Sequence, residues 1–281
     1  MSAFHPLSTR ARVRSPAPLR VGCLAFAPSA DIPANAEIIE QGIQMAGREG
    51  VQVLLTPEAA LTGYPGGGRD DLEAVDWPSV ASREDALAEK ALELGLVLIL
   101  GSGSLIDAHV TNDALLCGAV GRERRYRKRC LTPWDHEHYV PGDTAVVADV
   151  AGWRIGLAIC FDIRFPDVWA DLAEAKADLF CCLAHLAGSE PDPCTKGPVI
   201  AAHLASRSGE WATPLVLCNT AHSDRWLDSG FWDARGLRCG GGASGLVTGL
   251  VKPRQAHGPW YGTLRETALD RWHARMDDNL S

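Results

Sequence analysis

Short apolar runs of strand length recur along the chain, and stretches with a helical repeat separate many of them. Residues 20–26 and 51–56 read as buried strands, each followed by an amphipathic stretch, 35–48 and 79–94 respectively. Strands over 96–101 and 113–119 come next. Residues 145–150 and 153–159 form a hairpin pattern that turns at Ala151-Gly152. A helix, a strand over 178–183, a helix over 197–208 and a strand over 214–219 follow, and 244–251 reads as the last core strand. Such βα alternation with interspersed hairpins predicts two sheets packed together with helices outside them.

Composition narrows the class. The chain has 281 residues, 46% of them hydrophobic, enough for one large domain over 19–281. No apolar run reaches the roughly 18 residues that span a bilayer. A net charge of −8 argues against nucleic-acid binding, and the basic run 122–129 reads as a local, solvated face. Nine cysteines, an odd number without a C-x-x-C pair, argue against a disulfide framework and for a reducing cytoplasm. The first 30 residues hold several arginines and no acid, as a transit peptide does; residues 1–18 are read as a disordered N-terminal extension. His136 and His138 form an H-x-H pair that a polar loop explains better than a metal. No metal or cofactor is expected. The segment from about residue 259 reads as a C-terminal helix or arm.

Three polar residues stand in settings that favour chemistry. Cys160 ends the apolar run WRIGLAIC just before a helical stretch, so its thiol sits on a strand-to-helix turn near a helix N-terminus. The helix dipole and nearby backbone N–H groups there favour a thiolate and, later, an oxyanion. Glu58 emerges from the strand VQVLL ahead of a Gly-Tyr-Pro turn, a partly desolvated position suited to a general base. Lys128 lies in the charge run RERRYRKR, and its sequel, Leu131 to Trp134 and then Pro141-Gly142, sets it apart.

Taken in order, PEAALTGYP, YRK with its following PG, and CFDIRFPDVW resemble the glutamate, lysine and nucleophile motifs of the nitrilase superfamily of carbon–nitrogen hydrolases, over about residues 19–251. That resemblance implies an α/β fold, a four-layer α-β-β-α sandwich, and pairing into dimers or larger even-numbered oligomers. Cys160 would attack a carbonyl carbon and Glu58 would shuttle the proton. Lys128, with the backbone N–H of Phe161, would hold the oxyanion. The family's second glutamate has two candidates here: Glu137, five before Gly142, is preferred to Asp135, seven before it. Trp134 would wall the acyl site or pack in the core. Asp162 and Arg164 are expected to fix the elbow by ion pairing.

Phe161-Asp162 after the cysteine follows the amidase and carbamoylase style, whereas nitrile hydrolysers commonly carry Trp-Glu. The implied reaction is cleavage of an amide or N-carbamoyl group with release of ammonia. Nitrile hydrolysis by the same site and a catalytically silent binding protein are the alternatives. A nucleotide-binding module on Gly240 to Gly245 is a further rival, weakened by the absence of a P-loop lysine and of G-x-G-x-x-G spacing.

Overall fold

In the computed structural model, residues 16–120, 123–188 and 193–262, with 264, 267, 270 and 271, are described. In chain order the elements begin β1 (Leu19–Ala25), α1 (Ile32–Arg48), β2 (Val53–Leu55), and the two-residue strands β3 (Tyr64–Pro65) and β4 (Gly68–Arg69). Next come α2 (Trp77–Glu93), β5 (Val97–Ile106), β6 (His109–Gly118), β7 (Arg124–Arg127), β8 (Val147–Val150) and β9 (Trp153–Ile159). The remainder is α3 (Pro166–Glu174), β10 (Leu179–Ala184), α4 (Pro193–Trp211), β11 (Leu215–Asn219), β12 (Ser229–Trp232), β13 (Arg238–Gly242) and β14 (Gly245–Val251).

Two six-stranded sheets result. The first has the order β14-β1-β2-β5-β6-β7, the second β13-β12-β11-β10-β9-β8. Within them β1, β2 and β5 run parallel, as do β9, β10 and β11. The glycine cluster lies in β13 and at the start of β14, where the chain crosses from the second sheet to the first.

Alternation along each strand builds the layers. Val21, Cys23, Val53, Leu55, Val97 and Ile99 of the first sheet belong to the same buried cluster as Ile155, Leu157, Cys181 and Leu183 of the second. Leu54, Leu98 and Leu100, one position out of phase, pack instead with Ile39 and Ile43 of α1 and Leu87 of α2. Trp169 and Leu172 of α3 and Leu204 of α4 close the far side of the second sheet. The order is α-β-β-α. Trp169 is fully buried, donates its indole N–H to the Asp162 carbonyl and meets Phe180 edge-on at 5.3 Å. Cutting it to alanine would cost about 3–5 kcal/mol.

Five strands escape the sequence pattern: the two-residue β3 and β4, and β7, β12 and β13. The charge run expected to be a solvated face is the edge strand β7, in which Tyr126 points inward between exposed Arg124 and Arg127. Residues 1–15, most of the expected extension, lie outside the described residues. Residues 16–18 run against the second sheet, where the Ala17 carbonyl accepts from the Trp153 indole at 2.8 Å. The expected C-terminal arm falls mostly outside the described residues as well.

Candidate active site

The polar residues gather where the parallel strands of both sheets end, the side of an open α/β sheet where ligands bind. Glu58 follows β2, Cys160 follows β9, His185 follows β10, and Lys128 follows β7. Close packing holds the Glu58 loop: Thr56 Oγ1 accepts from the Gly101 N–H at 2.9 Å, and the Leu61 N–H donates to the Gly101 carbonyl at 2.9 Å. A Cβ at Gly101 would collide with the Pro57 carbonyl oxygen, so only glycine permits this approach.

Lys128 is the centre of the site. Its side chain has no solvent exposure, and its ammonium donates to Glu58 Oε1 at 2.7 Å and Asp135 Oδ2 at 2.9 Å. A buried ammonium is sustained only when its protons find partners. Burial by itself would lower its pKa; Glu58, Cys160, Tyr64 and Asp135 outweigh that and hold it well above the ordinary lysine value. Asp135 is likewise pulled by burial toward neutrality, but Lys128 and hydrogen bonds from Thr132 and Tyr64 bring it below the usual carboxylate range.

Glu58 is fully buried and held at both oxygens. Asn112 Nδ2 donates to Oε1 at 2.8 Å, and the His185 backbone N–H donates to Oε2 at 2.8 Å. Asp135 is fixed by Tyr64, whose hydroxyl donates to Oδ1 at 2.7 Å, and by a reciprocal pair with Thr132.

Cys160 takes φ +46°, a left-handed conformation that costs a non-glycine residue energy and marks a constrained elbow. It opens a short 3-10 turn, Cys160–Arg164. Its thiol is raised well above its ordinary pKa, first by burial, then by Glu58 and Asp135, with Lys128 and the His185 N–H opposing. Burial and the two carboxylates outweigh the turn's dipoles, which fits the expectation that a base must take the thiol proton.

Of the two candidates for the second carboxylate, the preferred Glu137 is exposed, while Asp135 is buried on Lys128. Both lie in the 3-10 turn Asp135–Glu137, and with three residues per turn two positions apart cannot share a face. The elbow is fixed differently from expectation too. Buried Asp162 accepts from the Tyr126 hydroxyl at 2.7 Å, the Ile159 N–H at 2.8 Å and the Cys130 N–H at 2.9 Å. Among the described residues no ion pair joins it to Arg164, whose guanidinium lies 5.9 Å from the Phe161 ring centre.

A cavity of about 680 Å³ opens above Cys160, with Tyr64, Trp134, Phe161, His185, His222 and Trp226 in its walls. Trp134 is 46% exposed and anchors its indole on the Pro65 carbonyl at 3.0 Å; it walls the mouth and has no core role. Asn112, Tyr64, His185 and His222 were not singled out by sequence reasoning. The GYP turn after Glu58 was a usable signal for Tyr64, and the Thr132-x-x-Asp135 reciprocal cap was one for Asp135. Nothing local flags Asn112, because a strand asparagine shows its partner only after folding.

The family model for carbon-nitrogen hydrolases matches residues 20–244. The (R)-stereoselective amidase of a Pseudomonas species is 26% identical over 196 residues, covering 63% of this chain and 69% of the relative. The omega-amidase YafV of Escherichia coli K12 is 32% identical over 146 residues, 50% of this chain and 52% of the relative. The match thus spans about half to two thirds of those relatives' lengths. The crystal structure of Saccharomyces cerevisiae Nit3, of the nitrilase superfamily, superposes with a TM-score of 0.73 at 18% identity, covering 89% and 96% of the two chains. A variant of an amidase from Nesterenkonia sp. AN1, modified by acrylamide at its active-site cysteine, gives 0.71 at 22% identity over 90% and 99%.

Proposed function

The chain belongs to the carbon–nitrogen hydrolase family, and on that premise we propose that it is a thiol-dependent amidohydrolase that cleaves an amide or N-carbamoyl group and releases ammonia. One observation carries the reading. A solvent-free ammonium is clamped between two carboxylates, beside a thiol that sits on a strained elbow and lines a cavity. A binding protein gains nothing from so costly an arrangement. The amidase names among its relatives and the Phe161-Asp162 pair favour an amide over a nitrile.

The resting charges define the proton path. Cys160 Sγ attacks the carbonyl carbon as Glu58 takes the thiol proton. Lys128 and the Phe161 backbone N–H receive the developing oxyanion; one such donor is worth about 3–4 kcal/mol of barrier. Glu58 hands its proton to the leaving nitrogen, ammonia departs, and a thioester remains on Cys160. Water then gives a proton to Glu58 and attacks the thioester; collapse restores the thiol and frees the acid. Asp135 keeps Lys128 in place, while Asn112 and the His185 N–H keep Glu58 in place. Glu137 takes no part. We further propose an even-numbered oligomer, and separately a reducing, cytoplasmic setting; the free thiols of eight described cysteines support the reducing setting.

An ammonia-release screen over simple amides, N-carbamoyl amino acids and nitriles tests this, with Cys160→Ala as control. Turnover of an amide or carbamoyl compound that vanishes in the variant is the expected result. Turnover that survives Cys160→Ala refutes the mechanism.

A further inference from the structure

Two imidazoles in the cavity wall do nothing in the mechanism above. The His185 ring is 9% exposed and stacks on Tyr64 with centres 4.6 Å apart and planes 18° apart. His222 meets it edge-on at 5.1 Å. A Cβ on Gly67 would collide with His185 Cε1 and Nε2, so the ring is fitted against backbone on that side. Both rings line the cavity that opens on Cys160. Among the described residues, buried His185 Nδ1 and His222 Nε2 have no hydrogen-bond partner. Buried polar atoms are nearly always satisfied, so two imidazoles 5.1 Å apart in one wall, each with an unsatisfied nitrogen, point to a ligand.

We propose that His185 and His222 form a polar subsite for the acyl side of the substrate, and that it takes an uncharged hydrogen-bonding group such as a hydroxyl or a second carboxamide. The inference rests on the amidohydrolase reading. A neutral imidazole offers one donor and one acceptor, which a group able both to give and to accept a proton matches. Burial, with His222 and Lys128 adding to it, pushes His185 down to about 3, so the ring is neutral at working pH. A carboxylate is disfavoured there. The His185 backbone already touches Glu58, Asp135 lies close by, and the single buried ammonium is shared between those two acids. The cations of the cavity wall stand over other rings, Arg164 over Phe161 and Lys196 over Trp226. The main chain of His185 holds the proposed base and its ring lines the same cavity as Cys160, which sets the subsite close to the reacting carbonyl.

The test compares isosteres. Lactamide is set against isobutyramide, and β-hydroxybutyramide against isovaleramide, each pair exchanging hydroxyl for methyl; succinamate carries a carboxylate. In the native protein, one hydroxy amide should exceed its methyl partner in kcat/KM by about tenfold or more. That ratio should fall to near one in His222→Phe, which keeps ring volume without nitrogens. Part of it should remain in His222→Asn, which keeps a donor and an acceptor. Thermal melts check that both variants fold. Ratios near one in the native protein, a ratio that survives His222→Phe, or succinamate outrunning both hydroxy amides would overturn the subsite and leave the amidohydrolase reading standing. Absence of Cys160-dependent turnover with every amide would overturn both.

Discussion

Replacing Asp135 by asparagine removes one charge from the Lys128 clamp while keeping shape and one acceptor. The ammonium sits 2.9 Å from Asp135 and 2.7 Å from Glu58. At the first distance the Coulomb attraction is about 6 kcal/mol for an effective dielectric constant of about 20. Restored hydration of the asparagine and its remaining hydrogen bond offset part of that, and Glu58 still pairs with the lysine. The net loss falls near the low end of the range for halving a buried pair, about 3 kcal/mol. Function should suffer more. With one acid gone, Lys128 is drawn toward Glu58, away from the oxyanion position and onto the base. We expect kcat/KM to fall at least about 100-fold. Glu137→Gln, a change on an exposed turn residue, should stay within about 0.5 kcal/mol in stability and leave the rate nearly unchanged. Urea denaturation and ammonia release measure the two effects. A large rate loss in Glu137→Gln beside a mild one in Asp135→Asn would refute the assignment of the second carboxylate.

Two further outcomes follow from buried polar groups. Asp162→Ala leaves the Ile159 and Cys130 N–H groups and the Tyr126 hydroxyl unpaired and should cost about 3 kcal/mol or more in urea unfolding, whereas Tyr126→Phe should cost about 1; equal costs would show that Asp162 does not organise the elbow. His185 has a folded pKa of about 3 against an ordinary 6.5, so the unfolded chain binds the proton first and stability falls on acidification between those values. The slope should approach 1.4 kcal/mol per pH unit (roughly), and His185→Phe should remove it between about pH 6 and 5; an unchanged slope would contradict a buried neutral ring. Asp135, lowered in the fold, adds to the loss only at lower pH, as acid reaches its own depressed value.

The fold was legible where burial is two-sided. Parallel strands such as β2, β9 and β10 are continuous apolar runs, and the helices between them repeat at 3.6 residues. Strand β7 was hidden because an edge strand needs few apolar residues: only Tyr126 turns inward, and Arg125 is compensated on the other face by Glu84 and Asp113. The site was legible through chemistry concentrated in local motifs. Glu58, Lys128 and Cys160 converge as their order implied, and the motif around Cys160 marked a turn that the positive φ now explains. Asp135 was overtaken by Glu137 because counting from Gly142 ignores which side of a 3-10 turn faces inward. The cavity wall was illegible for a different reason. His185 and His222 come from loops after separate strands, and only the fold brings their rings within 5.1 Å.

A covalent acyl group on Cys160 underlies the whole mechanism, and rapid-quench mass spectrometry during turnover of a reactive amide detects it. The intact protein should gain the mass of the acyl group without its nitrogen, peptide mapping should put it on Cys160, and it should disappear once the substrate is exhausted. Continued turnover with no such adduct, or an adduct on Cys239 or Cys130 with Cys160 unmodified, would contradict it.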